Sequence, residues 1–201
     1  MSQAKTYFEA AASGYTKRSE AGFWGLLRRG EASAISTLIG AGPLGDVLEL
    51  GCGSGYYTRR LSNQGCKSLI AVDFSPGMIE EYSISGCVKK TADIQEFISD
   101  NPCDLILCAG ALEFLEDPKV VFRNASRMLR TKGSLVVLLP RRSLLGRCYQ
   151  FFHRFHAVPV RLFDLQEVEQ WAHEVGLALT QWHRVPLFSL AMKFSKKEDH
   201  Q

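Results

Sequence analysis

The stretch "VLELGCGSGYYTRRL", Val47 to Leu61, runs from a short strand-like apolar segment through three glycines at alternate positions into a helix-like segment. Glycine at such a turn permits positive φ and lets the backbone come close to a ligand. Three cradles are open on pattern alone: one for a dinucleotide, one for a phosphate, one for another ligand. The dinucleotide fingerprint G-x-G-x-x-G needs glycine where this chain has Tyr56, and a P-loop needs a Lys-Ser/Thr pair that does not follow these glycines. The third kind of cradle fits best.

Outward from the turn, apolar runs alternate with helical patterns. After "VLEL" (47–50) a helix begins near Tyr56; "SLIAVD" (68–73) is a second strand, with Ser75 and Pro76 as N-cap and first residue of the next helix. "CVKKTAD" (87–93) is a third, followed by a short helix, and "CDLILCAG" (103–110) a fourth. Asp117-Pro118 opens a helix running to about Arg130, and "GSLVVLLP" (133–140) is the fifth strand. This rhythm predicts βαβ units and a parallel sheet buried on both faces. Residues 3–40 read as two helices separated near Ser19, and 143–155 and 164–175 as two more. "LALTQWHRV" and "SLAMKFS" are final strands joined by a short link at Pro186, which suits an antiparallel hairpin.

Composition sets outer bounds. The 201 residues favour a single domain, the 46% apolar content is ordinary for a globular chain, and a net charge of +3 gives no reason to expect nucleic acid. None of the six cysteines forms a C-x-x-C pair, so zinc and thioredoxin-like chemistry are not expected. Cys108 ends the fourth strand in an apolar setting and reads as a buried thiol, not a nucleophile. No signal-peptide core or membrane-spanning run is visible, so the expectation is a reduced, cytoplasmic chain.

Carboxylates narrow the ligand. Asp73 ends the second strand, where it can accept ribose hydroxyls; Asp93 follows the third, in reach of an adenine edge; Glu49 stands two residues before the first glycine. Acids at three neighbouring strand ends suit a nucleoside carrying an amine and a positive charge, and suit pyrophosphate poorly.

In order, "VLELGCGSG", "AVDFSPGMIE", "TADIQEF", "CDLILCAGALEFLEDP" and "MLRTKGSLVVLLP" resemble the successive motifs of class I S-adenosylmethionine-dependent methyltransferases. The resemblance covers residues 44–140, and more loosely the rest. It is nearest to the small-molecule group that includes ubiquinone, menaquinone and biotin-pathway methyltransferases, whose N-termini carry a stretch similar to Phe8–Tyr15. It implies an α/β, Rossmann-like, mostly parallel seven-stranded sheet of order 3-2-1-4-5-7-6 with helices on both faces and the last strand antiparallel. It implies S-adenosylmethionine as cofactor, with S-adenosylhomocysteine as product. Gly51, Cys52, Gly53 and Gly55 would then line the methionine portion, and Glu49 would act near its amino group. Asp73 would hold the ribose, Phe74 and Met78 would pack near the adenine, and Asp93 and Ile94 would receive its amine edge. Ala109 and Gly110 would floor the methyl region, and Tyr15 would close over the sulfonium.

Two departures matter. Thr16 stands where many relatives have Asp, and Phe114 where many have His, so the catalytic residue is unassigned; Tyr15, His153 and His156 are candidates. Phe114, Arg141, Arg142 and Tyr149 are the expected substrate contacts. In residues 143–155, Leu144, Leu145, Cys148, Phe151, Phe152 and Phe155 share one helical face, and Arg142, Arg147, Gln150, His153 and Arg154 share the other. That amphipathic helix is either a lid over an apolar substrate or ordinary core packing, with membrane-surface contact a third reading.

The expected organisation is one domain over 1–201: an N-terminal helical cap (1–40), a cofactor-binding core (44–140), a substrate lid (141–163), and a final helix with the antiparallel strand pair (164–195). The expected function is methyl transfer to an O or C atom of a small, partly apolar metabolite, without metal. The alternatives are an RNA or protein methyltransferase and a catalytically silent cofactor-binding scaffold.

Overall fold

The structure, a computed structural model, describes Glu9, residues 22–154 and residues 159–197. Seven strands form one sheet: β1 (Leu44–Leu50), β2 (Cys66–Asp73), β3 (Cys87–Thr91), β4 (Cys103–Ala109), β5 (Leu129–Pro140), β6 (Leu177–Arg184) and β7 (Ser189–Lys196). Their order is β3-β2-β1-β4-β5-β7-β6. The first five pair in parallel, and β7 runs antiparallel to both β5 and β6. Antiparallel pairing is dictated by the link, since only Val185–Phe188 separate the last two strands.

The helices are α1 (Gly22–Ile39), α2 (Tyr56–Gln64), α3 (Pro76–Glu80), α4 (Lys119–Met128), α5 (Leu144–Arg154) and α6 (Leu165–Glu174), with a 3₁₀ turn at Leu112–Phe114. The strands read as apolar runs because they are covered twice. On one face, Ile35 and Leu38 of α1 and Leu61 of α2 meet Val47, Leu105, Leu107 and Val136. On the other, Phe122 of α4 and Trp171 of α6 meet Leu48, Ile106, Leu135 and Phe194. Phe122 is fully buried, edge-on to both Trp171 and Phe194. The described part of the N-terminal region, α1, thus lies against the sheet.

Two elements differ from the sequence reading, and the structure adds a direction to a third, α5, whose role the sequence left open. No helix follows β3: the Asp93 carbonyl takes the amides of Glu96 and Phe97, and its carboxylate takes that of Gln95, so the chain closes into turns. β5 begins at Leu129, directly after α4; the apparent break is a kink, with Lys132 at φ 67° and a register shift against Cys103–Leu105. α5 turns its apolar face outward. Leu144 is 79% exposed and Phe151 61%, whereas Gly146 is the buried residue of the helix. A Cβ at Gly146 would stand 2.3 Å from the Arg141 carbonyl oxygen, so glycine is what allows that turn to sit so close.

At the amino ends of the strands lies an ion cluster. The Arg130 guanidinium donates to Asp46 at 2.7 Å and to Asp104 at 2.6 Å, and Lys67 and Ser68 donate to Asp46 as well. Hydrogen bonds from Ser68, then from Arg130 and Lys67, hold the Asp46 carboxyl down to about 2. Gly45 leaves room for the Asp104 carboxylate, which a Cβ there would strike.

Candidate functional site

The cavity lies at the opposite, carboxyl ends of the strands, where open parallel sheets take their ligands. Its volume is about 280 Å³. Four strand-end segments build it. After β1, Gly51, Cys52 and Gly53 line it; at the end of β2 and in α3, Asp73, Phe74 and Met78 do. After β3 come Asp93 and Ile94, and after β4 come Ala109, Gly110 and Phe114. Eleven residues expected at a ligand site are therefore brought into one concavity.

The glycine turn has a physical need for its composition. Gly51, Gly53 and Gly55 have φ of 75°, 50° and 79°, all left-handed. A Cβ at Gly51 would meet the Ala111 methyl at 2.4 Å, and one at Gly55 the Tyr82 ring at 2.7 Å. Gly55 is thus a packing glycine that starts α2 and does not line the cavity.

Asp73 ties two strand ends together. One carboxylate oxygen accepts from the Gly53 amide at 2.8 Å, the other from the Ser75 amide at 3.0 Å. Ser75 in turn caps α3 by accepting from the Met78 amide, and its hydroxyl donates to Glu9. Burial raises the Asp73 carboxyl above its usual range, against the amides that favour its charge. The Phe74 amide favours the charged form in the same way, and the carboxylate keeps capacity for a further donor.

Glu49 sits behind the turn, 1% exposed, and one of its oxygens has no hydrogen-bond partner. Burial pushes this carboxyl up to about 8, opposed by the Thr58 hydroxyl. Glu113 is similar. It is 5% exposed, it too has an oxygen without a partner, and burial takes it to about 8. Burial also raises the Cys52 and Cys108 thiols far above their ordinary range, so neither is poised as a nucleophile.

Several expected contacts are elsewhere. Arg142 forms an ion pair with Asp164 at 2.6 Å and a longer one with Glu167, Arg141 donates to the Leu187 carbonyl, and Tyr149 stacks on Phe188 at 4.5 Å. None of the three lines the cavity: salt bridges hold Arg142 at the start of α6, and Arg141 and Tyr149 are held at the β6–β7 link. His153 stands beside it, its ring 6.4 Å from Phe114. Tyr15, His156 and Phe155 lie outside the described residues.

The sequence reading missed Arg28, Tyr56, Tyr57 and Gln95, which also line the cavity. The two tyrosines follow the glycine turn directly, which was a usable signal. Arg28 comes from α1 and has no local signature. Among the described residues it is the only basic one lining the cavity, and its guanidinium lies 4.8 Å from the Tyr56 ring centroid.

A seven-stranded sheet of this order, with a glycine turn after β1 and carboxylates ending β2 and following β3, defines a Rossmann-like nucleoside site of the methyltransferase kind. Residues 48–137, somewhat under half of the chain, match the family described as Methyltransferase domain. It is 36% identical over 98 residues to malonyl-[acyl-carrier protein] O-methyltransferase of Hahella chejuensis, covering 45% of this chain and 35% of that one. It is 28% identical over 120 residues to trans-aconitate 2-methyltransferase of Enterobacter sp., covering 58% and 48%. These matches span half or less of those relatives' lengths. The fold is shared with magnesium protoporphyrin IX methyltransferase of Synechocystis PCC 6803, solved with bound S-adenosylhomocysteine: TM-score 0.77, 13% identity, 96% of this chain and 98% of that one.

Proposed function

We propose that this protein transfers a methyl group from S-adenosylmethionine to an O or C atom of a small, partly apolar acceptor that carries a carboxylate. The carrying observation is Asp73. A buried carboxylate at the cavity wall, already bound to the Gly53 and Ser75 amides, is the acceptor set a ribose diol requires. The residues present fit the cofactor in other respects. Glu49 stands behind the glycine turn and outside the cavity lining, where its orphaned oxygen is an acceptor that a bridging water would relay to an ammonium group; Asp93 and the Ile94 backbone offer an edge for adenine, and Phe74 offers a face for its ring. Acidic groups outnumber bases around the cavity, as a cationic ligand favours.

When bound, S-adenosylmethionine supplies an electrophilic sulfonium methyl group. The chain's part is then to place the acceptor in line and to keep water out. Arg28, on the α1 side of the cavity, is the cationic side chain that an acceptor carboxylate would meet. Two relatives are named for malonyl-[acyl-carrier protein] and trans-aconitate, both carboxylate-bearing, which supports an anionic acceptor. Phe114 and Leu115 give the apolar wall, and Phe114 in place of histidine fits an acceptor that arrives already ionised and needs no base.

Calorimetric titration with S-adenosylhomocysteine tests the cofactor half: tight binding by the wild type and none by Asp73→Ala is expected. Label transfer from methyl-labelled donor across a panel of carboxylic acids tests the other half. Arg28→Ala should leave S-adenosylhomocysteine affinity unchanged and abolish transfer. Equal transfer by Arg28→Ala and wild type would reject the carboxylate assignment.

A further inference from the structure

We propose that the outward face of α5 docks on an anionic lipid bilayer surface, beside the mouth of the cavity. Leu144, Leu145, Phe151 and Phe152 are 79%, 47%, 61% and 48% exposed. At about 100° per residue, these four and Cys148 occupy one arc of roughly 120°. The side that packs on the protein is a different one, made by Gly146, Tyr149 and His153: Gly146 lies against Arg141, and the Tyr149 ring against Phe188. Trp24 of α1, 38% exposed, extends the apolar surface, with its ring 6.2 Å from Phe152.

Charge selects the occupant. α5 contains no acidic residue. Arg147 and Arg154, a heptad apart and both exposed, stand in one row at the edge of the apolar arc. The carboxylates near the start of the helix, Asp164 and Glu167, are held by Arg142 and Arg161. The surface is therefore large apolar side chains with a basic border, the pattern of a helix lying in a headgroup layer. A second copy of the same surface would bring the two arginine rows together, which disfavours self-association. An apolar core that a helix shields from water carries no such border. Among the described residues no helix is long and apolar enough to cross a membrane, so the contact is peripheral.

The location gives the contact a use. His153 on α5 meets Phe114, which lines the cavity. His153 lies on the inner side of the helix, so docking through the outer face places the bilayer, where a partly apolar acceptor accumulates, about one helix width from the Phe114 wall of the cavity.

The test is sedimentation of the full chain with unilamellar vesicles of phosphatidylcholine alone or with about 30 mol % phosphatidylglycerol. Binding to the anionic vesicles only is expected, with release as salt rises to about 0.5 M. The Leu144→Asp/Phe151→Asp variant should bind at least about tenfold more weakly, while Arg147→Gln/Arg154→Gln should lose the preference for phosphatidylglycerol. Both variants should keep wild-type affinity for S-adenosylhomocysteine, which shows that they fold and separates this proposal from the cofactor assignment. No sedimentation of the wild type, or equal sedimentation of the aspartate variant, overturns the proposal. So does a concentration-dependent dimer that the aspartate variant abolishes without any vesicle binding, which assigns the face to a second copy.

Discussion

Replacing Glu49 by glutamine should remove a pH dependence from cofactor binding. The Glu49 carboxyl is buried, lacks a partner on one oxygen, and is raised to about 8. In the free protein at pH 7 only about a tenth of it is ionised, and at pH 6 about a hundredth. If the ligand's ammonium group needs the charged form, the apparent affinity falls with that fraction. S-adenosylhomocysteine should then bind about tenfold more weakly at pH 7 than at its plateau, and about a hundredfold more weakly at pH 6. Binding below pH 8 should also take a proton off the protein, visible as a dependence of the calorimetric heat on the buffer's ionisation enthalpy. In Glu49→Gln the affinity should be weak and flat across this range, whereas Glu113→Gln, with a carboxyl raised just as far but placed elsewhere, should keep the wild-type slope. An affinity that moves less than about twofold between pH 6 and pH 8 in the wild type, or an unchanged slope in Glu49→Gln, refutes the reasoning.

Four further outcomes follow from the same geometry. Asp73→Ala strips the acceptor from the Gly53, Ser75 and Phe74 amides and, on the proposed function, from the ribose, so S-adenosylhomocysteine affinity should drop at least about a hundredfold by calorimetry. Gly55→Ala drives a methyl into the Tyr82 ring at a left-handed φ and should cost about 3 kcal/mol in urea denaturation; Gly53→Ala, at φ 50° with open space, should cost about 1 kcal/mol. Phe122→Ala should destabilise by about 3–5 kcal/mol without changing ligand affinity extrapolated to the folded state. Stability of the ligand-free protein should be greatest below about pH 4.5 as far as Glu49 and Glu113 are concerned, because the fold prefers them protonated. It should fall as pH rises through the range up to about 8, at up to about 1.4 kcal/mol per pH unit for each carboxyl, and denaturation of Glu113→Gln should show a shallower decline.

The sheet was legible because its strands are buried on both faces, and burial on both faces writes itself as uninterrupted apolar runs such as Leu105–Cys108. The start of α3 was legible because a serine that accepts from its third amide, followed by proline, has one reading. What failed were features set by local hydrogen bonding or by tertiary neighbours. The turns after β3 depend on Asp93 capturing three successive amides, a competition no periodicity records. The spacing of Leu144, Leu145, Phe151 and Phe152 reveals a stripe, but a period carries no direction, and the stripe faces out. Arg28 enters the cavity only because α1 lies along the sheet; the basic pairs chosen instead, Arg141 and Arg142, were nearer a strand end in sequence and are occupied with Leu187, Asp164 and Glu167.

The cluster of Arg130, Asp46, Asp104 and Lys67 sits at the strand ends away from the cavity, and β1 links the two poles: Asp46 near one end, Gly51 just beyond the other. A parallel sheet turns this into a division of labour. The first five strands, all parallel, run from the ionic pole toward the ligand, so the pole that anchors them has no side chain in common with the one that meets the substrate. Charge changes around Arg130 offer a means of adjusting how tenaciously the chain stays folded while leaving donor and acceptor recognition untouched, and a lineage free to drift at that end could alter its working temperature without altering its chemistry.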